Sequence, residues 1–176
     1  LQDLEHLRRE GAAVRLVAPT LLANNWAPVH AHYRKHRKRV LRVGVELFEY
    51  RHDPGDRARR VSDTAPVRSR EINLHTKALV GDRRYCYLGS LNLDPRAMVI
   101  NTELGLFIDS PQLGERLAAL VEVEMNTESS WKLSLDAGGR LTWTSRGRTV
   151  RREPAIGLSA RFQLGIFGIL PVRSQF

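Results

Sequence analysis

Residues 74 to 82 read Leu74-His75-Thr76-Lys77-Ala78-Leu79-Val80-Gly81-Asp82. We predict a β-strand from Ile72 to Val80, followed by a turn at Gly81-Asp82-Arg83. Side chains alternate along a strand, so His75 and Lys77 are predicted to lie on the same side. An imidazole beside an ammonium group suits work on a phosphate. The imidazole can attack phosphorus or transfer a proton, while the ammonium holds the non-bridging oxygens.

Other polar residues that fit this chemistry follow downstream. Gly89-Ser90-Leu91-Asn92 supplies a hydroxyl and an amide that can donate to a phosphoryl oxygen. Glu103 could accept the second N–H of the His75 imidazole and so fix its tautomer, as in a catalytic triad. The spacing His-x-Lys-x4-Asp is expected by chance roughly 0.006 times in a chain of this composition. The alternative is that His75 and Lys77 form an exposed strand pair with no role.

The flanking sequence alternates between helical and strand patterns, which is typical of an α/β layer. We predict helices over 1–11 and 28–43 and one that begins at Ser110-Pro111, where a capping serine precedes proline. We predict strands over 12–18, 45–50, 85–88 and 102–108, a loop over 51–70, a hairpin from 133–135 and 141–144, and a helix and extended tail from Pro154 onward. The predicted fold class is α/β, a mixed β-sheet with helices packed on its faces.

Composition narrows the classes of function. The chain has 176 residues, with 28 Lys and Arg against 19 Asp and Glu, so its net charge is +9. This charge favours anionic partners such as phosphates, nucleic acid or an acidic membrane surface. A single cysteine, Cys86, excludes an internal disulfide framework. The longest apolar stretch, Phe162–Leu170, is far shorter than a membrane-spanning helix, and no His or Cys cluster has the spacing of zinc ligands.

The sequence also resembles a known family. His75-x-Lys77-x4-Asp82 followed by Gly89-Ser90-x-Asn92 is similar to the signature of the phospholipase D superfamily. The wider runs over 89–96 and 101–106 resemble bacterial cardiolipin synthases, especially those of the C type. The last seven residues, 170–176, are similar to the close of that subfamily.

The resemblance implies a covalent mechanism without metal or cofactor. One histidine of a pair attacks phosphorus, and the other protonates the departing alkoxide. The implied catalytic residues are His75, Lys77, Asp82, Asn92 and Glu103, and the implied phosphate-binding residues are Lys77, Ser90 and Asn92. In this scheme Glu103 orients His75, whereas Asp82 belongs to the motif but looks structural.

Members of the family carry two such motifs, one in each lobe, whereas this chain carries one. We therefore expect a fragment of the second lobe, with its N-terminal edge strand missing. The catalytic lobe is predicted over 1–125, with a C-terminal hairpin and helical extension over 126–176 packed on it. The second motif is expected from an N-terminal lobe in cis or, alternatively, from a second protomer. The isolated chain is expected to show little turnover.

The implied activity is transfer of a phosphatidyl group to phosphatidylglycerol through a phosphohistidine. The expected partners are an anionic phospholipid (phosphatidylglycerol or phosphatidylethanolamine) and the membrane surface, on the cytoplasmic side of the bacterial inner membrane. No transmembrane helix is expected in this chain. One alternative is a nuclease or hydrolytic phosphodiesterase of the same superfamily, although 92–96 and 101–106 resemble the lipid enzymes and make nucleic acid a poorer fit. The other is a non-catalytic module that binds acidic membranes or nucleic acid.

Three weaker features have two readings each. The basic run over 34–42 is either the wet face of an amphipathic helix or a contact for anionic headgroups. His30 and His32 are either helix-start residues or part of a phosphate pocket. The three tryptophans, Trp26, Trp131 and Trp143, are either packing residues, which we predict, or a belt at a membrane interface.

Overall fold

The computed structural model of the chain describes residues 2–24, 27–62, 71–92, 97 and 100–154. These residues form two compact units. The first unit comprises the described residues up to Leu74 and those from Glu124 onward, and the second runs from His75 to Val123.

Both units contain helices and strands. In chain order they are α1 (Gln2–Arg9), β1 (Arg15–Pro19), a short 3₁₀ helix (Leu21–Ala23), α2 (Ala27–Tyr33), α3 (Arg37–Arg42), β2 (Glu46–Tyr50), α4 (Asp56–Ser62), β3 (Ala78–Gly81), β4 (Tyr85–Gly89), β5 (Gly105–Asp109), α5 (Pro111–Met125), β6 (Ser130–Leu135), β7 (Leu141–Ser145) and β8 (Arg148–Val150). The chain is therefore a mixed α/β protein, as its sequence predicts.

The first unit is built on a five-stranded sheet in the order β1-β2-β6-β7-β8. Strands β1 and β2 are parallel, with Leu16 opposite Leu47, and the remaining neighbours are antiparallel. Its core consists of buried apolar side chains from α3, the end of its following turn, and the sheet: Val40, Val45, Leu47, Trp131, Leu133 and Trp143. The sheet is thus mixed, and two of the tryptophans are packing residues.

A cluster of ion pairs is buried in the same unit. The Arg37 guanidinium, only 2% exposed, lies 2.5 Å from Glu49 and 2.6 Å from Glu153. The carboxylate of Glu153 also lies 2.7 Å from His30 Nε2 and 2.7 Å from Arg34 Nε. Burial of a charge is tolerated only where opposite charges and hydrogen bonds surround it, so this cluster connects α2 and α3 to β2 and to the segment after β8.

Two aromatic residues also bind the Glu49 carboxylate of this cluster. Tyr33 and Trp143 each donate a hydrogen bond to its carboxylate, at 3.0 and 2.9 Å. The basic run over 34–42 is therefore not simply a wet helix face, because Arg37 is buried. His30, which is fully buried against Glu153, has a structural contact rather than an open position.

The second unit is an antiparallel sheet in the order β3-β4-β5, followed by α5. The turn between β3 and β4 has Asp82 and Arg83 at φ +50° and +52°, a left-handed conformation that Asp adopts more readily than most residues. Ser110 caps α5, since its hydroxyl accepts a hydrogen bond from Leu113 N at 3.2 Å. A side chain at Gly114 would overlap the backbone of Arg83, so glycine permits the close approach of α5 to this turn.

The structure corrects four predicted boundaries. The predicted helix over 28–43 is two helices, α2 and α3, separated by a turn at 34–36. The predicted loop over 51–70 contains α4, and its residues 63–70 lie outside the described ones. The strand predicted over 72–80 begins only at Ala78, as β3. The regular pairing with β4 starts at this residue, with Ala78 opposite Leu88.

The fourth difference concerns the predicted boundary at residue 125. The hairpin predicted after it is present as β6 and β7, but β6 pairs directly with β2, so the hairpin continues the sheet of the first unit. The predicted helix and tail after Pro154 lie outside the described residues, as does Trp26. None of the described helices has the length and apolar character needed to cross a bilayer.

Candidate active site

The polar residues singled out in the sequence collect at one end of the second unit's sheet. Because β3, β4 and β5 are antiparallel, the start of β3, the end of β4 and the start of β5 lie at the same end. His75 and Lys77 lie within three residues before β3, Ser90 and Asn92 lie within three residues after β4, and Glu103 lies two residues before β5. Antiparallel pairing therefore brings together residues that are up to 28 positions apart in the sequence.

Lys77 is held by the ladder of the sheet. Its carbonyl accepts a hydrogen bond from Gly89 N at 3.1 Å, which extends the pairing of β3 and β4 by one residue. Its ammonium donates to the carbonyl of His75 at 2.9 Å. Burial lowers the pKa of Lys77 below 10.5, and the negative charge of Glu103 opposes this effect. The Glu103 carboxylate thus stabilises the charged form of Lys77 electrostatically.

Ser90 and Glu103 are joined directly. Ser90 Oγ donates to Glu103 Oε2 at 2.5 Å and accepts from Leu104 N at 3.0 Å. Ser90 N donates to Leu104 O at 2.9 Å. The serine hydroxyl thus continues the ladder between β4 and β5 beyond its last regular pair, and it fixes the position of the carboxylate.

Two facing glycines keep this end of the sheet closely packed. Gly89 and Gly105 are opposite each other in β4 and β5. A methyl group at Gly89 would lie 2.6 Å from Leu104 O and 2.8 Å from Gly105 Cα. A methyl group at Gly105 would lie 2.6 Å from the phenol oxygen of Tyr87. Larger residues here would displace the segment that carries Glu103.

His75 and Asn92 are the open groups of the site. Both are exposed, whereas Lys77 and Glu103 are half-buried. The Glu103 carboxylate accepts from Ser90 and from Asn101 Nδ2, the latter at 3.3 Å. Across residues 71–92 and 100–154, no hydrogen bond joins it to His75. The expected orientation of His75 by Glu103 therefore stays a prediction.

Asp82 lies away from this cluster. It occupies the turn at the far end of β3, and the four residues of that strand separate it from Lys77. Four residues of extended chain span about 13 Å. The catalytic part that the motif gives to Asp82 stays a prediction, and in this structure Asp82 forms the left-handed turn.

Asn101 and Tyr87 are neighbours of the site that lie outside the predicted catalytic and phosphate-binding residues. Asn101 supports the Glu103 carboxylate, and Tyr87 covers Gly105. The contact of Asn101 could have been predicted from the sequence, because Asn101 and Glu103 are two residues apart on an extended segment. The contact of Tyr87 could not, because it depends on Gly105 in the neighbouring strand.

Chemically, the cluster offers one free imidazole, one ammonium, a hydroxyl, an amide and a carboxylate around an open surface. These groups suit an anionic substrate whose non-bridging oxygens need donors. Within the part of the chain that the structure describes, no three His, Cys, Asp or Glu side chains come together as a potential metal site.

A mixed α/β fold with this motif at one end of a sheet defines a phospholipase D-like domain. The family model described as "Cardiolipin synthase, PLD-like domain" matches residues 1–127. The chain belongs to this family. It is 33% identical to cardiolipin synthase C of Escherichia coli (strain K12), in an alignment that covers 97% of the chain and 36% of that protein.

Two further relatives are uncharacterized. A protein of Helicobacter pylori (strain J99 / ATCC 700824) is 27% identical over 72% of the chain and 24% of its own length. A protein of Mycobacterium leprae (strain TN) is 31% identical over 70% of the chain and 55% of its own length. The chain thus spans about a third of the E. coli protein and about a quarter of the H. pylori one.

Proposed function

We propose that this chain supplies one of two catalytic motifs of a cardiolipin synthase-type phosphatidyltransferase. The substrate is an anionic phospholipid, and the acceptor is a hydroxyl of phosphatidylglycerol. The second motif comes from a second lobe or a second protomer. What carries the proposal is the collection of His75, Lys77, Ser90 and Glu103 at one end of the sheet in a family of cardiolipin synthases.

The proposed reaction has two steps that balance. In the first, a histidine nitrogen forms a bond to the phosphorus of the donor lipid, the bond from phosphorus to the headgroup oxygen breaks, and the second histidine protonates the departing alkoxide. In the second, the acceptor hydroxyl gives its proton to that second histidine, and its oxygen displaces the first histidine from phosphorus. His75 performs one of these two parts.

Lys77, Ser90 and Asn92 stabilise the negative charge on the phosphoryl oxygens. An ammonium and a phosphate oxygen about 4 Å apart attract each other by roughly 4 kcal/mol at an effective dielectric constant near 20. Lys77 is half-buried, so solvent screens it less than a fully exposed lysine. In the free site its ammonium donates to a backbone carbonyl, a contact that a phosphate would replace.

The test uses the polypeptide as its genome encodes it, incubated with vesicles of labelled phosphatidylglycerol. We expect cardiolipin to form, and we expect His75→Ala to reduce its rate by at least about a hundredfold. The matched control is His6→Ala, which removes an exposed histidine of α1 and leaves the rate unchanged. Equal rates in wild type and His75→Ala would contradict the proposal.

A parallel incubation with plasmid DNA tests the nuclease alternative. DNA cleavage without cardiolipin formation would replace the lipid proposal with the nuclease. Rapid quenching of the lipid reaction then assigns the role of His75. Loss of the phosphohistidine in His75→Ala identifies His75 as the nucleophile, and accumulation of a label that is not discharged identifies it as the acid and base.

A further inference from the structure

We propose that the first unit contains a second phosphate-binding site, in a cavity at the carboxyl end of β1 and β2. The cavity has a volume of about 660 Å³. This inference goes beyond the proposed function and does not depend on His75, since every residue that lines the cavity belongs to the first unit.

The cavity lies where parallel strands end. Thr20 directly follows β1 and Arg51 directly follows β2, and both line the cavity. Thr20 N donates to Tyr50 O at 3.0 Å, so the two strand ends are joined here. In open α/β sheets, ligands bind in the crevice outside the carboxyl ends of the strands. The position is therefore typical of a ligand site.

The acidic groups of the cavity are already paired. Asp53 receives two hydrogen bonds from Arg51, at 2.9 and 2.8 Å, and its backbone carbonyl accepts from Arg146. Burial would raise the pKa of Asp53, but Arg51 outweighs this effect and lowers it below 3.8. Glu153 is held by Arg34, Arg37 and His30 of the buried cluster. Both carboxylates are therefore already neutralised by these partners.

Two arginines of the cavity wall remain uncompensated. Arg148 begins the edge strand β8, and Arg152 lies in the bend that follows it. Within the described ranges, neither guanidinium makes an ion pair, whereas Arg151 lies 4.0 Å from Asp136. Two free guanidiniums on one cavity wall form a site for an anion. Because a guanidinium donates in a planar fork, phosphate oxygens match it well.

Thr20 lines the cavity, but its hydroxyl is buried and does not reach the cavity surface. The donors of the proposed site are therefore the guanidinium groups of Arg148 and Arg152. The ligand class is a phosphate mono- or diester, either a free phosphate or the headgroup phosphate of an anionic lipid.

The main test compares the full chain with the double variant Arg148→Gln/Arg152→Gln in calorimetric titrations with inorganic phosphate. The matched control, Lys38→Gln/Arg42→Gln, removes the same charge from exposed positions of α3 that do not line the cavity. We expect the affinity for phosphate to fall at least about tenfold in the first variant and to change less than about twofold in the control. No saturable phosphate binding, or an equal loss in both variants, would overturn the proposal.

Vesicle sedimentation separates the two sources of the phosphate group. Arg148→Gln/Arg152→Gln is compared with wild type on vesicles of phosphatidylglycerol and of phosphatidylcholine. Selective loss of phosphatidylglycerol binding, with competition by inorganic phosphate, identifies the lipid headgroup. Loss of phosphate binding with unchanged vesicle binding identifies a free phosphate and also supports the site.

Discussion

Substituting Glu153 by glutamine tests the energetics of the buried cluster. Burial alone would raise the pKa of Glu153, but the hydrogen bonds from His30 and Arg37, together with their charges, lower it from 4.5 to about 2. Since each pH unit corresponds to about 1.4 kcal/mol, this difference corresponds to about 3 kcal/mol of stability at neutral pH. Glutamine keeps the size of the side chain but removes the charge. We therefore expect Glu153→Gln to lower the free energy of unfolding at pH 7 by about 3 kcal/mol.

The lowered pKa of Glu153 also predicts how the stability difference changes with pH. A carboxyl whose pKa is lower in the folded state stabilises the fold above its unfolded pKa, and this contribution disappears as the pH falls through the folded value. The difference in unfolding free energy between wild type and Glu153→Gln is therefore greatest above about pH 5, falls to about half of that value near pH 3 and approaches zero below about pH 2.

Urea denaturation followed by circular dichroism at several pH values measures this difference. Glu46→Gln is the matched control, because Glu46 pairs with Lys132 at 2.9 Å on the surface, where both side chains are about half exposed. Exposed pairs contribute about 0–1 kcal/mol, so the control stays within that range. A loss below about 1 kcal/mol in Glu153→Gln at pH 7, or a loss that does not diminish towards pH 3, would refute the assigned stabilisation.

Three further substitutions follow from the second unit. Lys77→Met is expected to lower cardiolipin formation by about a hundredfold or more while the melting temperature stays within a few degrees, and a proportional loss of both would contradict a role on the phosphate. Gly89→Ala is expected to cost about 1–3 kcal/mol in urea denaturation, because its methyl group meets the backbone of Leu104 and Gly105; an unchanged midpoint would show that β5 moves freely. Ser110→Ala removes the cap of α5 and is expected to cost about 1 kcal/mol, measured by the same denaturation, with no change in the slope of the transition.

The local signals in the sequence predict much of the second unit. The serine–proline pair at 110–111 predicts the start of α5, and the structure adds the hydrogen bond that Ser110 makes. The apolar and aromatic run Tyr85–Leu88 after the turn predicts β4, and the structure buries Cys86 of this strand. The turn predicted at Gly81-Asp82-Arg83 makes β3 and β4 antiparallel neighbours, so the start of β3 and the end of β4 lie together at the sheet end opposite this turn.

The parts that the sequence misses depend on distant partners. Glu153 contacts His30, 123 residues earlier in the chain, and no periodic pattern links them. The basic run over 34–42 predicts a solvent-exposed helix face, because Arg37 has five other Lys and Arg residues around it in the run. Arg37 is nevertheless buried, since it pairs with acidic groups from other elements. Helix α4 is missed because Pro54 and Gly55 precede it and indicate a loop.

The four unspecified positions of the motif, between Lys77 and Asp82, coincide with the four residues of β3. The spacing of the motif thus specifies the length of β3 as well as the chemical groups at its two ends. One inserted residue would change the parity of the strand, so that Lys77 would point to the opposite face while the turn stayed intact. Two inserted residues would restore the face but carry the ammonium about 7 Å beyond Ser90. Only an unchanged strand length keeps both the side and the depth of the ammonium, so spacing constrains this site as strictly as residue type.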